Sequence, residues 1–284
     1  MFNNRIKSIL INLSFRSTAL NIRNRFIFFI SKSGITILKT KKLNYYLELD
    51  YDRKKLSREF ALLNRYGIRP NIDYSQIRAN AKSQIGQDMW VAFSSGFKER
   101  GTFMEIGAAD GINLSNTYML EQCFNWTGVC IEPARIWHTN FRTARNCLLE
   151  TRCCSSTDNL KINFFESQQP LLSTATKYRF VDTHAHERSK GVEYTVQSVS
   201  LNTLFQKYFP AGHVNYLSID TEGSEEEILS TFDFSKYSFD FASIEIGFDD
   251  GKRKRIQALL VSNGYRKVWS EISEFDDFYE RVLN

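Results

Sequence analysis

The stretch "GTFMEIGAADGINLSNTYML" (101–120) decides the fold of this chain. An apolar run from Thr102 to Ile106 stops at a turn of small residues, and a segment with helical character follows. An acid, Glu105, lies near the end of the apolar run. A strand that leads through a glycine-rich turn into a helix lets a ligand approach the backbone closely, as in nucleotide-binding α/β folds.

The same alternation of strand and helix patterns continues downstream. Further strand-like runs are predicted at 128–132, 147–154, 161–167, 194–200, 214–220 and 240–246. Two closing runs, 265–272 and 275–283, can pair antiparallel, and the polar stretch 168–191 has the composition of a loop or lid. Strands that alternate with helices predict an α/β fold, with a mainly parallel Rossmann-like sheet and helices on both faces.

Composition excludes several classes of protein. The 284 residues are 42% hydrophobic and 14% aromatic, enough for a sizeable core, and no run approaches the roughly 18 apolar residues of a membrane span. The five cysteines include no C-x-x-C pair, so a disulfide, metal or redox framework is not predicted. Reduced cysteines are typical of a cytoplasmic protein.

Positive charge is concentrated near the start of the chain. Residues 1–47 hold nine Lys/Arg and no acid, whereas the rest holds 28 bases against 32 acids. We therefore expect two parts: a basic, helical N-terminal extension (1–80) and a catalytic domain (81–284). The extension has an imperfect apolar helical stripe at Ile6, Leu10, Leu13 and Leu20. Its partner is predicted to be an anionic membrane at the cytoplasmic face; packing on the body or on a second subunit is the alternative.

Acids end several of the predicted strands. In parallel sheets, ligands bind at the carboxyl ends of the strands, and an unpaired buried carboxylate is costly. The acids at these positions are therefore predicted to be functional: Glu105, Glu132, Asp220, Glu222 and Glu245.

The ligand behind the glycines is predicted from their spacing and from the nearby acids. The turn has Gly107-x-x-x-Gly111, not the G-x-G-x-x-G of a dinucleotide site, and Glu105 and Asp110 would repel a pyrophosphate. S-adenosylmethionine carries an ammonium and a sulfonium, which suit these acids. Glu132, 27 residues after Glu105, would accept hydrogen bonds from the ribose hydroxyls.

Five stretches together resemble a known family, the FkbM-type S-adenosylmethionine-dependent methyltransferases, over residues 83–284. They are "SQIGQDMWV" (83–91), "FMEIGAADGINLSNT" (103–117), "GVCIEP" (128–133), "LSIDTEGSEEEIL" (217–229) and "IEIG" (244–247). The chain departs from the family at Ala109-Asp110, where many members carry Asn and Ile. The resemblance implies a seven-stranded methyltransferase fold that ends in a reversed hairpin, and O-methylation of hydroxyls on bacterial glycans or secondary metabolites.

The predicted site residues follow from the motifs and the chemistry. Removal of the hydroxyl proton requires a base, for which Asp220 is the first candidate, with Glu222 positioning substrate or cofactor. The alternative for Glu222 is favourable charge at the start of a helix near Ser224. His184 and His186 in the predicted lid are further candidates for the base or for a metal ligand. The predicted cofactor residues are Glu105, Gly107, Ala109, Asp110, Gly111, Glu132 and Asp158, the last for the adenine amine or, equally, as the cap of a turn.

Two other features leave alternatives open. Asp220, Glu222 and Glu245 could offer oxygens to Mg²⁺, but nothing in their spacing requires a metal, and none is predicted. The basic run "KRKR" (252–255) is expected to be a solvated helix face, with room to contact an anionic substrate.

The sequence therefore predicts an O-methyltransferase that acts on a hydroxyl of a bacterial surface glycan or glycolipid. A secondary-metabolite hydroxyl is the alternative acceptor. A non-catalytic glycan- or lipid-binding module with a degenerate cofactor site, and a nucleotide-sugar dehydrogenase, are the alternative functions. A nucleic-acid substrate is disfavoured because the body is net acidic and lacks a basic–aromatic stripe.

Overall fold

The computed structural model describes residues 26–31, 34–181, 185–270 and 273–282, with side chains from Leu49 onward. The chain divides into two compact units, residues 1–57 and 58–284. In the first unit, strands β1 (Phe26–Ser31) and β2 (Gly34–Lys39) pair antiparallel before α1 (Thr40–Tyr66) begins. The predicted helix is not found at residues 26–31 and 34–39, whose β-branched and aromatic residues favour strands, whereas residues 40–66 and 74–80 of the extension are helical. The predicted apolar stripe at Ile6, Leu10, Leu13 and Leu20 lies outside the described residues.

The second unit alternates helices and strands along the chain. Its strands are β3 (Thr102–Ile106), β4 (Thr127–Ile131), β5 (Leu148–Glu150), β6 (Cys153–Ser155), β7 (Lys161–Ser167), β8 (Thr174–Ala175), β9 (Gly191–Ser200), β10 (His213–Ile219), β11 (Ser238–Glu245), β12 (Tyr265–Val268) and β13 (Asp276–Arg281). After α1, its helices are α2 (Tyr74–Asn80), α3 (Gln87–Ser94), α4 (Tyr118–Phe124), α5 (His138–Ala144), α6 (Leu201–Tyr208), α7 (Glu225–Ser230) and α8 (Asp250–Ser262).

The main sheet has the strand order β12-β13-β11-β10-β3-β4-β5 and is mixed. From β11 to β5 the neighbours are parallel, whereas β13 pairs antiparallel with both β11 and β12. The α/β class is therefore confirmed, but the predicted mainly parallel sheet is corrected to a mixed one. The connection 269–275 between β12 and β13 is too short for a parallel crossover, so these two strands form the expected hairpin.

A second sheet, in the order β6-β9-β7-β8, holds strands that the sequence pattern had suggested for the main sheet. The predicted strand 147–154 is divided: Leu148–Glu150 extends the main sheet, and Cys153–Ser155 pairs with β9 in the second. The long partners β7 and β9 are antiparallel. Residues 170–190 lie between these two strands in sequence, so the second sheet supports the stretch that was predicted as a lid.

Helices cover both faces of the main sheet, as predicted. On one face, Met104 and Ile106 of β3 pack in a core with residues of α6, α7 and α8. On the other face, Phe103 packs in a second core with Trp90 of α3. Leu62 and Ile77 are buried in that second core, so residues 58–80 pack with the sheet.

Among the described residues, no helix is both long and apolar enough to cross a bilayer.

Candidate active site

The glycines of the first turn are required mainly by close packing within the protein. Gly107 has φ +86°, and a Cβ there would lie 1.6 Å from the carbonyl oxygen of Asp220 at the end of β10. Gly111 has φ +79°, and a Cβ there would lie 2.6 Å from the ring of Phe141. Ala109, between them, also adopts a left-handed backbone, with φ +47°. The two glycines thus bring the turn against the end of β10 and against α5, beside the edge where a ligand binds.

Glu105 supports this turn from inside the protein. Its carboxylate is 2% exposed and accepts hydrogen bonds from the Ser115 hydroxyl (2.9 Å), the Asn116 backbone N–H (2.6 Å) and the Thr117 hydroxyl (2.5 Å). The buried Arg145 guanidinium lies 3.8 Å from it and donates to the Gly111 carbonyl at 2.8 Å. Both oxygens of Glu105 therefore have partners in the chain, which assigns it to holding the turn. Direct contact with the cofactor ammonium was the sequence-based expectation.

Glu132 links the end of β4 to the same turn. Its two oxygens accept hydrogen bonds from the backbone N–H groups of Ala109 (2.8 Å) and Ala134 (2.7 Å). Burial raises the pKa of Glu132 to about 7, although these two hydrogen bonds oppose the shift. The carboxylate lies directly after β4 beside the glycine turn, and the predicted contact with a ribose diol stays a prediction.

Asp110 and Asp158 are engaged in local turns. Asp110 accepts the backbone N–H groups of Ile112 (2.9 Å) and Asn113 (2.8 Å), which closes the loop after the glycine turn. Asp158 accepts the Ser200 backbone N–H (2.7 Å) and the Thr203 hydroxyl (2.9 Å) at the start of α6. This geometry favours the capping role for Asp158 over the proposed contact with adenine.

Asp220 and Glu245, at the ends of β10 and β11, form a close carboxyl pair, with oxygens within 4.8 Å of each other. Burial raises the pKa of Asp220 well above its ordinary value, and the negative charge of Glu222 adds to the shift. Burial and the charge of Asp220 raise the pKa of Glu245 in the same way. Asp276 lies opposite Glu245 on β13, and burial raises its pKa to about 6. Such a pair holds a proton between its members, since two like charges this close do not both ionise readily.

Glu225 holds the loop that follows Asp220, and the sequence reasoning missed it. It is completely buried and accepts hydrogen bonds from the Thr221 backbone N–H (2.9 Å) and hydroxyl (2.8 Å), and from the Gly223 N–H (3.1 Å). Lys252 donates to its other oxygen at 2.5 Å. An acid in the first turn of a helix was the available signal for this role.

Glu222 lies on the other side of that loop, in a left-handed backbone with φ +59°. Its carboxylate accepts a hydrogen bond from the Arg188 guanidinium at 2.5 Å, and its carbonyl accepts one from the Thr174 hydroxyl at 3.2 Å. Glu222 therefore connects the loop to the residue 170–190 segment. This ion pair is a more specific role than the alternative of favourable charge at the start of a helix, and the predicted positioning of substrate or cofactor by Glu222 stays a prediction.

The two histidines of the predicted lid gain no support as bases. His184 lies outside the described residues, and His186 is exposed. The expected solvated face at 252–255 is found in part, since Lys254 and Arg255 are exposed. Ion pairs form here as well: Lys252 with Glu225, Arg253 with Asp277 (3.2 Å) and Arg255 with Glu226 (2.6 Å). These pairs join α8 to α7 and β13.

Three carboxylates meet the distance requirement of a metal site. Asp220, Glu222 and Glu245 each offer an oxygen, and these oxygens lie within 4.8 Å of one another. Carboxylate oxygens suit Mg²⁺ and similar hard cations. Glu222, however, is already paired with a buried cation, Arg188, so the donor set fits a divalent ion only in part.

A glycine-rich turn after a central strand, an acid at the end of the next strand and a carboxyl pair at the same edge define the site of an S-adenosylmethionine-dependent methyltransferase. The family model described as the methyltransferase FkbM domain matches residues 105–276. This is more than half of the chain, which therefore belongs to the FkbM methyltransferase family.

Solved structures with some similarity are also methyltransferases. A precorrin-6y C5,15-methyltransferase from Geobacter metallireducens is 10% identical, with 71% of this chain and 90% of that chain covered and a TM-score of 0.39. A magnesium protoporphyrin IX methyltransferase from Synechocystis is 12% identical, with 84% and 99% covered and a TM-score of 0.35. These scores are too low to carry an argument about the acceptor. No curated protein sequence matches the chain significantly.

Proposed function

We propose that this methyltransferase is an O-methyltransferase, which transfers the methyl group of S-adenosylmethionine to a sugar hydroxyl of a bacterial surface glycan or glycolipid. The observation that carries the proposal is the carboxyl pair Asp220–Glu245, whose oxygens lie within 4.8 Å of each other at the carboxyl edge of the sheet, beside the Gly107 turn. A hydroxyl acceptor must lose a proton during transfer, and a carboxylate of this pair is suited to accept it.

The turn and Glu132 would hold the cofactor. In this arrangement the ribose hydroxyls donate to the Glu132 carboxylate, which is already oriented by the backbone N–H groups of Ala109 and Ala134. A carboxylate that is fixed before the ligand arrives loses little conformational entropy on binding. The backbone of the Gly107–Gly111 turn then lies along the methionine part of the cofactor.

The transfer itself is an in-line displacement. The hydroxyl oxygen attacks the methyl carbon, the carbon–sulfur bond breaks, and sulfur keeps the electron pair, which leaves S-adenosylhomocysteine. The hydroxyl proton passes to the ionised carboxylate of the pair, Asp220, while Glu245 carries the proton that the pair already holds. Alignment of the two reactants supplies at most about 7–11 kcal/mol, and a positioned base supplies roughly 10²–10⁴-fold in rate.

Methyl incorporation tests the proposal directly. Surface glycan and glycolipid fractions are incubated with the purified protein and S-adenosylmethionine labelled on the methyl group, with Asp220→Asn as the matched inactive control. We expect label in a sugar, as an ether that survives mild base. Label in a base-labile ester, or in a carbon–methyl bond, would contradict O-methylation of a hydroxyl, and calorimetry with S-adenosylhomocysteine shows separately whether the cofactor site is formed.

A further inference from the structure

A buried arginine lies in the polar stretch that the sequence predicts as a lid. Arg188 is part of a short 3₁₀ turn, Glu187–Ser189, between β8 and β9. Its neighbours Glu187 and Ser189 are exposed, yet Arg188 itself is 0% exposed. A guanidinium is removed from water at a large free-energy cost unless carboxylates and carbonyls compensate it, so this burial requires specific partners.

One partner of Arg188 lies in the same polar stretch, and another lies in the loop that follows Asp220. Its Nε donates to the carbonyl of Leu172 at 2.7 Å, and its Nη2 donates to the Glu222 carboxylate at 2.5 Å. The Tyr178 ring packs on the same loop, since a Cβ on Gly223 would lie 3.1 Å from it. The segment that carries Arg188 is thus fastened to the residues that directly follow Asp220.

Glu222 belongs to a crowded group of carboxylates. Its oxygen lies within 4.8 Å of oxygens of Asp220 and Glu245, a spacing that a single cation could bridge. The Lys252 ammonium is bound to Glu225 and is also attracted by Glu245 and Asp220. Two side chains of the protein, Arg188 and Lys252, therefore supply positive charge to this group.

We propose that Arg188 is a positioning residue that holds Glu222 in an ion pair and supplies fixed positive charge to the Asp220–Glu222–Glu245 cluster, in the role that a divalent metal ion would otherwise take. An arginine suits this role because it stays charged when buried and its planar donors fix the carboxylate in one orientation. With Glu222 held in this way, the Asp220–Glu245 pair is left to exchange the proton. This last step rests on the proposed function, whereas the ion pair itself does not.

The test uses Mn²⁺ as a probe of the cluster, measured by electron paramagnetic resonance on the full-length protein. The variants are Arg188→Met, the double variant Arg188→Met/Glu222→Gln, and the control Arg255→Met. Arg255 also forms an ion pair with a glutamate, Glu226, but its side chain is 59% exposed. We expect wild type and Arg255→Met to leave Mn²⁺ free, Arg188→Met to bind it at least about tenfold more tightly, and the double variant to lose this gain.

Calorimetry with S-adenosylhomocysteine on each variant reports whether the cofactor site is intact, so that failure of the proposed function is seen separately. The inference is overturned if wild type binds Mn²⁺ as tightly as Arg188→Met, or if Arg188→Met binds S-adenosylhomocysteine but gains no Mn²⁺. If Arg188→Met does not fold, Mn²⁺ binding is measured instead on Arg188→Lys and Glu222→Gln. Mn²⁺ bound by wild type and lost in Glu222→Gln contradicts the inference, whereas wild type and Arg188→Lys that both leave Mn²⁺ free support it.

Discussion

The two halves of the proposed site differ in the groups that surround their buried carboxylates. In the cofactor half, at the ends of β3 and β4, Glu105 and Glu132 accept hydrogen bonds from backbone and hydroxyl donors of the chain. In the acceptor half, at the ends of β10 and β11, Asp220 and Glu245 face each other and other acids. The first arrangement fixes geometry before a ligand binds, and the second would keep a proton within reach of the hydroxyl acceptor that we propose.

The largest effect is expected from a substitution that affects the proposed acceptor half alone. Asp220→Asn keeps the shape of the side chain but removes the carboxylate that would accept the proton. We expect turnover to fall roughly 10²–10⁴-fold, as for loss of a general base, while the affinity for S-adenosylhomocysteine changes by less than about threefold. Initial rates of methyl transfer and calorimetry measure the two quantities. Near-normal turnover would move the base to Glu245.

The next substitution removes Glu105, the buried carboxylate that holds the turn of the proposed cofactor half. Glu105→Leu leaves the buried Arg145 with one carboxylate fewer. It also leaves the hydrogen-bond donors of residues 115–117 without this acceptor. We expect the free energy of unfolding to drop by about 3–5 kcal/mol, the cost of removing one partner of a buried ion pair. Urea unfolding followed by circular dichroism gives this value. Glu226→Leu, which removes a partner of the exposed Arg255, is the matched control and should cost less than about 1 kcal/mol.

A smaller effect is expected at the predicted ribose contact. Glu132→Ala should weaken S-adenosylmethionine binding by about 1–3 kcal/mol, the range for a hydrogen bond to a charged group. Calorimetry on folded protein measures the loss. Cofactor affinity equal to that of wild type would show that the ribose lies elsewhere.

The pH dependence of cofactor binding is a second test of the predicted contact between Glu132 and the ribose. The pKa of Glu132 is raised to about 7 in the folded chain. Its ionised form accepts the ribose hydroxyls, so affinity should fall by about tenfold per pH unit below that value. The same shift favours the protonated carboxyl in the folded state, so Glu132 makes folding less stable as pH rises from its ordinary pKa toward 7. Calorimetry with S-adenosylhomocysteine at several pH values, repeated with Glu132→Gln, tests this. If the affinity of Glu132→Gln falls with pH as steeply as that of wild type, the pH dependence belongs to another group, such as Asp276.

The smallest effect concerns the basic N-terminal segment, whose predicted membrane contact is still a proposal. Each base near an anionic surface contributes about 1 kcal/mol, and this attraction is screened within about 10 Å at 0.1 M salt. Full-length protein should therefore sediment with anionic vesicles and be released by salt. In a matched variant, the bases of residues 1–47 are replaced by glutamine, and it should stay in the supernatant and still bind cofactor. Equal sedimentation of the two proteins would rule out this role for the bases.

The sequence by itself determined the α/β class, the cofactor turn and the acids at the strand ends. Those features depend on contiguous patterns: an apolar run, glycines at fixed spacing and an acid at the end of a strand. Gly107 was recognisable in this way, although its reason, the carbonyl of Asp220, lies 113 residues further along the chain.

Only the tertiary structure decided how those acids are used. Glu105 was predicted to face a ligand, but donors from residues 115–117 and Arg145 enclose it. The partition of strands between two sheets, and the pairing of Arg188 with Glu222 across 34 residues, leave no periodic signal in the sequence. The physical reason is that the free energy of a buried charge depends on which distant groups surround it, and folding alone brings those groups together.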